Sequence, residues 1–311
     1  MSSAKKLLTV FGATGNQGGS LIRTVLNNST LNAKYSLRGV TRDTSKPAAQ
    51  ELSKQGVEVV RADLDDVESL KKAIDGSYGV LAVTNFWESM DGAKETQQGR
   101  NIVDASLSTG VKHLVLSTLH SVDKLSNGTL HTPHFDSKSA IDDYAKSQAG
   151  NKLNISYFHA AFFAQNFETM LQKGEDGSYS INLPIDPAVR VPMIDIVADT
   201  GNWVAGLFEA GDSANGKKVQ GVSWWTNFAS FSSDLGSALG KKVSYNNIPA
   251  DIFKSYLPES IADELTDTMK LVDQYSYYGK DTEKQQADDN RFLLKDAKLA
   301  TVDSWAKSLK L

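Results

Sequence analysis

The 311-residue sequence contains no cysteine. Disulfides, thiolate metal centres and a cysteine nucleophile are therefore excluded. There is no excess of positive charge either. The 33 Lys and Arg residues against 37 Asp and Glu give a net charge of −4. With no basic block, general binding to nucleic acid through a charged surface is not expected. No apolar run approaches the roughly 18 residues that a membrane helix needs. The short apolar run near the N-terminus is already required as a strand, so a signal peptide is not expected. Internal repeats and low-complexity segments are also missing. What remains is a chain expected to be soluble and cytoplasmic. Its 40% hydrophobic content can build a large core, as one large domain or a large and a small one.

The most informative segment is Gly12-Ala13-Thr14-Gly15-Asn16-Gln17-Gly18. An apolar run, Lys5 to Phe11, precedes it and reads as a buried strand; Gly19 to Leu26 follows it and reads as a helix. Strand, glycine turn and helix in this order suit a dinucleotide site, because glycine lets the backbone turn tightly and lets a pyrophosphate approach. Unpaired N–H groups at the helix start then face the phosphates. The GxxGxxG spacing is that of extended short-chain dehydrogenase-type folds.

Strands and helices alternate through the first half. Strands are expected over 34–40, 57–61, 79–83, 112–117 and 154–159, with helices over 46–55, 66–74, 92–109 and 137–147 between them. Repeated βα units with apolar strands predict a doubly wound parallel sheet of Rossmann type, covered on both faces. Beyond about Phe167 the rhythm breaks. Helices are expected over 197–210, 227–239 and 259–274, with strands near 217–222 and 242–246. This predicts a nucleotide-binding domain over 1–166 and a smaller α/β lobe over 167–311, with 194–222 returning to the large sheet. The ligand would lie at the carboxyl ends of the strands, where the second lobe can close a pocket.

The second strand ends Gly39-Val40-Thr41-Arg42 and carries no acid for a ribose 2′-hydroxyl. Arg42 instead offers a permanently charged planar fork suited to a 2′-phosphate, with Lys46 a helical turn beyond, which favours NADP(H) over NAD(H). Asp63 follows the third strand, placed for the adenine amino group, whereas Asp65 is better placed to cap the next helix.

Short-chain dehydrogenases use a tyrosine four residues before a lysine, the phenol moving a proton and the lysine lowering its pKa and holding the ribose. None of the ten tyrosines here has lysine at i+4. In His134-Phe135-Asp136-Ser137-Lys138 the lysine is kept and His134 stands in place of the phenol. These two are the candidate catalytic positions. Imidazole is shorter than a phenol, so it is not expected to reproduce the same transfer geometry. His131 and His134 have a metal-like spacing, but without cysteines no metal site is expected. His113 and His159 read as sheet residues, and His120 lies at the end of a strand where a ligand could reach it.

These motifs together resemble the NmrA-like branch of the atypical short-chain dehydrogenases: GATGNQG at 12–18, VTRD at 40–43, ADLDD at 62–66 and HFDSK at 134–138. Phe162-Phe163-Ala164-Gln165-Asn166 is similar to an FFxxN pattern of that family, Val191-Pro192-Met193-Ile194-Asp195-Ile196 is a further supporting motif, and Lys298 to Trp305 resembles the ending of its NADPH-sensor members. The resemblance implies a Rossmann domain with a small α/β lobe and bound NADP. By position, Gly12 and Thr14 to Gly18 would hold the pyrophosphate, Arg42 the 2′-phosphate, Asp63 with Leu64 the adenine, and Thr84, Asn85 and Phe86 the ribose–pyrophosphate edge. Lys138 would meet the nicotinamide ribose, with Phe162 and Phe163 beside the nicotinamide.

Such families include redox-responsive regulators that bind other proteins and reductases that retain the lysine without the tyrosine. The missing tyrosine and the sensor-like ending favour the regulator, with a protein partner and a cytoplasmic or nuclear location. The alternative is an NADPH-dependent reductase of quinones, aldehydes or other small carbonyl compounds. The aromatic residues Phe86, Trp87, Phe162, Phe163, Trp224 and Trp225 would line its pocket.

Overall fold

A computed structural model describes residues 4–150 and 152–309. In chain order its first half runs β1 (Lys6–Val10), α1 (Asn16–Asn27), α2 (Ser29–Lys34), β2 (Tyr35–Thr41), α3 (Pro47–Lys54), β3 (Glu58–Arg61), α4 (Val67–Ile74), β4 (Gly79–Val83), α5 (Gly92–Ser108), β5 (His113–Thr118), α6 (Val122–Ser126), α7 (Pro133–Ala149) and β6 (Asn154–Ala160). The second half continues with β7 (Phe162–Phe163), α8 (Phe167–Met170), β8 (Leu171–Lys173), β9 (Tyr179–Leu183), β10 (Val191–Ile194), α9 (Thr200–Ala210), β11 (Lys218–Gly221), β12 (Trp224–Thr226), α10 (Phe228–Leu239), β13 (Val243–Asn247), α11 (Ala250–Ser255), α12 (Glu259–Tyr275), α13 (Glu283–Asp289) and α14 (Val302–Ala306).

Seven strands form one parallel sheet in the order β11-β6-β5-β4-β1-β2-β3. The direction of winding reverses between β1 and β4, which opens a crevice at their carboxyl ends. Side chains of each strand alternate between two apolar layers. Leu81 and Val115 join the layer holding Leu21, Ile22, Trp203 and Phe208, while Val80, Ala82, Leu114 and Leu116 join the layer holding Ile102, Val103 and Ile141. Helices α1 and α9 cover one face; α4, α5 and α7 cover the other. The first layer runs on without a break into the second half, through Phe167, Phe228, Phe231 and Trp305.

Two small sheets, β12-β10-β7 and β13-β9-β8, complete the second half. Of their strands only β13 matches an expected one, that near 242–246; the others, of two to five residues, are too short to show a period. Helix α7 also begins earlier than expected, at Pro133 rather than Ser137. Proline is at home in a first helical turn, where its missing N–H costs nothing. His134 and Lys138 therefore share one helix, one turn apart. Among the described residues no helix is long and apolar enough to cross a membrane.

Candidate functional site

At the carboxyl ends of the strands lies a cavity of about 920 Å³. Its floor is the glycine turn. Gly12 sits at φ +63°, in the left-handed region that favours glycine, and its carbonyl accepts the Gly15 N–H at 2.9 Å. A Cβ on Gly18 would come 2.4 Å from the Gly12 oxygen, so only glycine lets α1 start this close to the turn. Gly15 differs. Its backbone is extended, and a Cβ there would meet only the Gly12 oxygen at 3.3 Å. Gly15 is the N-cap of α1 and supplies no side-chain acceptor, and the first helical turn holds no acid. The amide N–H groups that open α1 therefore face the cavity beside Thr14, with the positive end of the helix dipole behind them. Gln17 is held in place by the Ser117 hydroxyl, which donates to its Oε1 at 2.5 Å.

Arg42 lies on the cavity rim, mostly exposed, and pairs with Glu88 from the turn after β4. Asp63 and Leu64 line the same end, and the Leu64 carbonyl accepts from Asn101 Nδ2 at 2.8 Å. Lys46 is exposed at the start of α3 and is not part of the lining. The expected capping role of Asp65 is corrected. Asp66 caps α4, accepting from the Glu68 and Ser69 amides, whereas Asp65 lines the cavity and binds Lys94 and Gln98.

Thr84, Asn85 and Phe86 form the wall beyond the turn. Thr84 leads to a residue that the motifs did not reveal. The carboxylate of Glu95, only 1% exposed, accepts from Thr84 Oγ1 at 2.8 Å and from Ser137 Oγ at 2.5 Å, and it pairs with Lys138 Nζ. Burial pushes the Lys138 ammonium below the usual lysine value, while Glu95 and Glu264 oppose that shift. A signal for Glu95 was present: it falls in register with Gly99, Ile102 and Ser106 on the buried stripe of α5.

His134 lines the cavity between Phe86, Trp87 and Phe135, with ring centroids 4.7–5.9 Å away. Glu264, from α12, takes both its backbone N–H at 2.8 Å and its Nδ1 at 2.6 Å. With Nδ1 occupied, Nε2 is the ring nitrogen left free of that pair. The inner wall is mostly apolar and comes from both halves of the chain: Phe162, Phe163, Met170, Leu265, Met269 and Tyr277. Glu264 and Tyr277 carried no sequence signal because they reach the site from a region without a motif.

The other histidines are elsewhere. His113 and His159 are buried in the sheet, bonded to Ser156 at 2.7 Å and Asp142 at 3.1 Å. His120 stands behind the wall, surrounded by Phe135, Tyr277 and Tyr278, and is not part of the lining. The His131 amide donates to Asp267. No group of three or more potential metal ligands occurs among the described residues. Trp224 and Trp225 lie away from this cavity.

Two further motifs have structural work. Gln165 donates to Asp195 at 2.8 Å and accepts the Ile196 N–H at 3.1 Å, clasping the FFxxN segment to the VPMIDI segment. Trp305 is fully buried against Phe167 and Phe231, and Asp199 binds the Ala300 amide at 2.9 Å. The sensor-like ending is thus anchored to the core by Trp305, while Lys298, Thr301, Asp303 and Ser304 are exposed.

A family model described as the NmrA-like family matches residues 4–306. An NmrA-like family domain-containing oxidoreductase, malD of Malbranchea aurantiaca, is 31% identical over 258 residues, covering 79% of this chain and 76% of that protein. Among solved structures, the negative transcriptional regulator NmrA in complex with NADP superposes with a TM-score of 0.81 at 17% identity, over 98% of this chain and 95% of that one. The triphenylmethane reductase of Citrobacter sp. complexed with NADP(H) gives 0.74 at 19% identity, over 97% and 99%.

Proposed function

The chain belongs to the NmrA-like family, and we propose that it is an NADP(H)-dependent oxidoreductase that reduces a small, largely apolar carbonyl compound such as a quinone or aldehyde. One observation carries the reading. The cavity that begins at the glycine turn runs past Lys138 into an apolar chamber walled by both halves of the chain. A site built only to sense a dinucleotide has no need of that chamber. The oxidoreductase relatives support the same choice.

In this reading Gly12 and Thr14 to Gly18 hold the pyrophosphate, Arg42 the 2′-phosphate, Asp63 and Leu64 the adenine end, and Lys138 the nicotinamide ribose. The cofactor supplies a hydride when bound. His134 would supply the proton: Glu264 holds Nδ1, which leaves Nε2 as the ring nitrogen that could pass a proton to the carbonyl oxygen. Glu264 supports this reading by holding the imidazole in one orientation, so that the shorter ring need not reproduce the phenol's geometry.

The test is NADPH consumption by purified protein against a panel of quinones and aldehydes. Turnover above the buffer control supports the reading. NADPH binding with no turnover across the panel favours the regulator, whose remaining observation is the imidazole at the phenol's position.

A further inference from the structure

We propose that Glu95 is the positioning residue of the cofactor site: it fixes Lys138 at the cavity lining and ties that lysine to Thr84 beside it. The inference rests on the cofactor reading of the cavity and goes beyond it to a residue that no motif marks.

The geometry is that of a hub. Three side chains from two elements converge on one buried carboxylate: Thr84 at the end of β4, and Ser137 and Lys138 on α7. A carboxylate 1% exposed is stable only when its oxygens are filled, and Glu95 Oε1 and Oε2 are both engaged. The pairing depends on how closely α5 and α7 approach. One turn further along, Gly99 faces Ile141, and a Cβ there would lie 2.3 Å from Ile141 Cδ1. Gly99 and Glu95 are one turn apart on α5, as Ile141 and Ser137 are on α7. The glycine contact thus sets the helix separation at which Glu95 reaches Ser137 and Lys138.

The electrostatics give the hub its consequence. Lys138 is faced by Glu95 from α5, by Glu264 from α12 and by His134 on its own helix. Burial works against its charge, and Glu95 is the directly bonded anion that offsets this. Lys138 is only 15% exposed, and with Glu95 gone Glu264 alone would oppose the effect of burial, so its pKa would move further down. Without Glu95, the cation that meets the nicotinamide ribose would therefore become a neutral amine as pH rises.

The experiment is calorimetric titration of NADPH into the full chain at about pH 6.5, 7.5 and 8.5, for wild type, Glu95→Gln, Lys138→Met and the double variant, with circular dichroism as a check on folding. Wild type should bind with a shallow pH dependence. Glu95→Gln should bind progressively more weakly as pH rises, its Kd approaching a tenfold increase per unit once Lys138 deprotonates. Lys138→Met should bind weakly without that added slope, which controls for His134. Adding Glu95→Gln to Lys138→Met should cost nothing more, because the residue through which Glu95 acts is gone.

A Glu95→Gln profile parallel to wild type, or a further loss of affinity in the double variant, would overturn the proposal. If Glu95→Gln alone does not fold, the comparison of Lys138→Met with the double variant still decides, since removing both charges of a buried pair is tolerated far better than removing one. Wild type that binds no NADPH at any pH would remove the cofactor reading itself, and this proposal with it. Retained binding with an unchanged profile removes only the role of Glu95.

Discussion

Arg42 and Glu88 make the choice of cofactor measurable. Arg42 ends β2 on the cavity rim, where a 2′-phosphate would arrive, but it is already paired with Glu88. Both side chains are substantially exposed, at 62% and 49%. An exposed pair of this kind is worth about 0–1 kcal/mol. A charge-assisted contact between a guanidinium and a phosphate is worth about 1.5–3 kcal/mol. The phosphate therefore wins the arginine, at a net gain reduced by the pair it displaces. Three affinities follow. Arg42→Ala should weaken NADP(H) binding by about 0.5–3 kcal/mol, roughly 2- to 150-fold, and leave NAD(H) nearly unchanged. Glu88→Gln should do the opposite for NADP(H), tightening it up to about fivefold by freeing the arginine and removing a like charge beside the phosphate. Added salt should narrow the difference between the two nucleotides, because the charges sit in solvent. Calorimetry with both nucleotides on the three proteins gives all of these values. Equal losses for NADP(H) and NAD(H) in Arg42→Ala would refute the assignment of Arg42 to the 2′-phosphate. An unchanged preference in Glu88→Gln would show that the pair does not compete with ligand.

Gly15→Val should abolish nucleotide binding while the protein stays folded, because its extended backbone tolerates a side chain that the pyrophosphate does not; retained affinity would place the nucleotide elsewhere. Gly18→Ala should instead lower the melting temperature, since its Cβ would lie 2.4 Å from the Gly12 oxygen. His134→Ala and Glu264→Gln should both slow turnover of any substrate found while leaving NADPH affinity nearly unchanged, and steady-state kinetics beside calorimetry would expose the error if rates hold. Acid should destabilise the fold through its buried histidines. Burial moves His113 from the ordinary 6.5 to about 4 and His120 to about 3. Between those values the unfolded chain binds more protons, so stability is full above pH 6.5 and falls with pH through the window, by up to about 1.4 kcal/mol per unit for each histidine. Denaturation midpoints across that range should flatten in His113→Gln if this is right.

The sheet was legible because its strands are apolar and evenly spaced, and because Pro47 and Gly110 mark where helices start and stop. The phosphate turn was legible because a glycine at φ +63° and another pressed against its carbonyl leave little choice of residue. The sheet β12-β10-β7 was hidden because β7 is two residues long and pairs with β10, about thirty positions away, whereas β13 of the other small sheet falls where a strand was expected. No local pattern encodes such a partner. The sensor-like ending gave no hint of its packing: Trp305 is fully buried against Phe167, while Lys298, Thr301, Asp303 and Ser304 of the same segment are exposed.

The same holds for His134. Judged by spacing alone, it is a phenol replaced by a shorter group, and the proton chemistry looks lost. In the fold its partner is Glu264, 130 positions away, whose carboxylate at 2.6 Å from Nδ1 settles which ring nitrogen is free. Lys138 is likewise defined by Glu95, 43 positions before it. Each candidate catalytic side chain on α7 is thus completed by a carboxylate from another element, one from the nucleotide-binding half and one from the second half. Spacing identifies the helix that carries the candidate catalytic positions; the two carboxylates that bond them are not revealed by spacing. Exchanging either for an amide leaves the HFDSK motif intact, so any loss of function in Glu95→Gln or Glu264→Gln measures the part of the site that lies outside the motif.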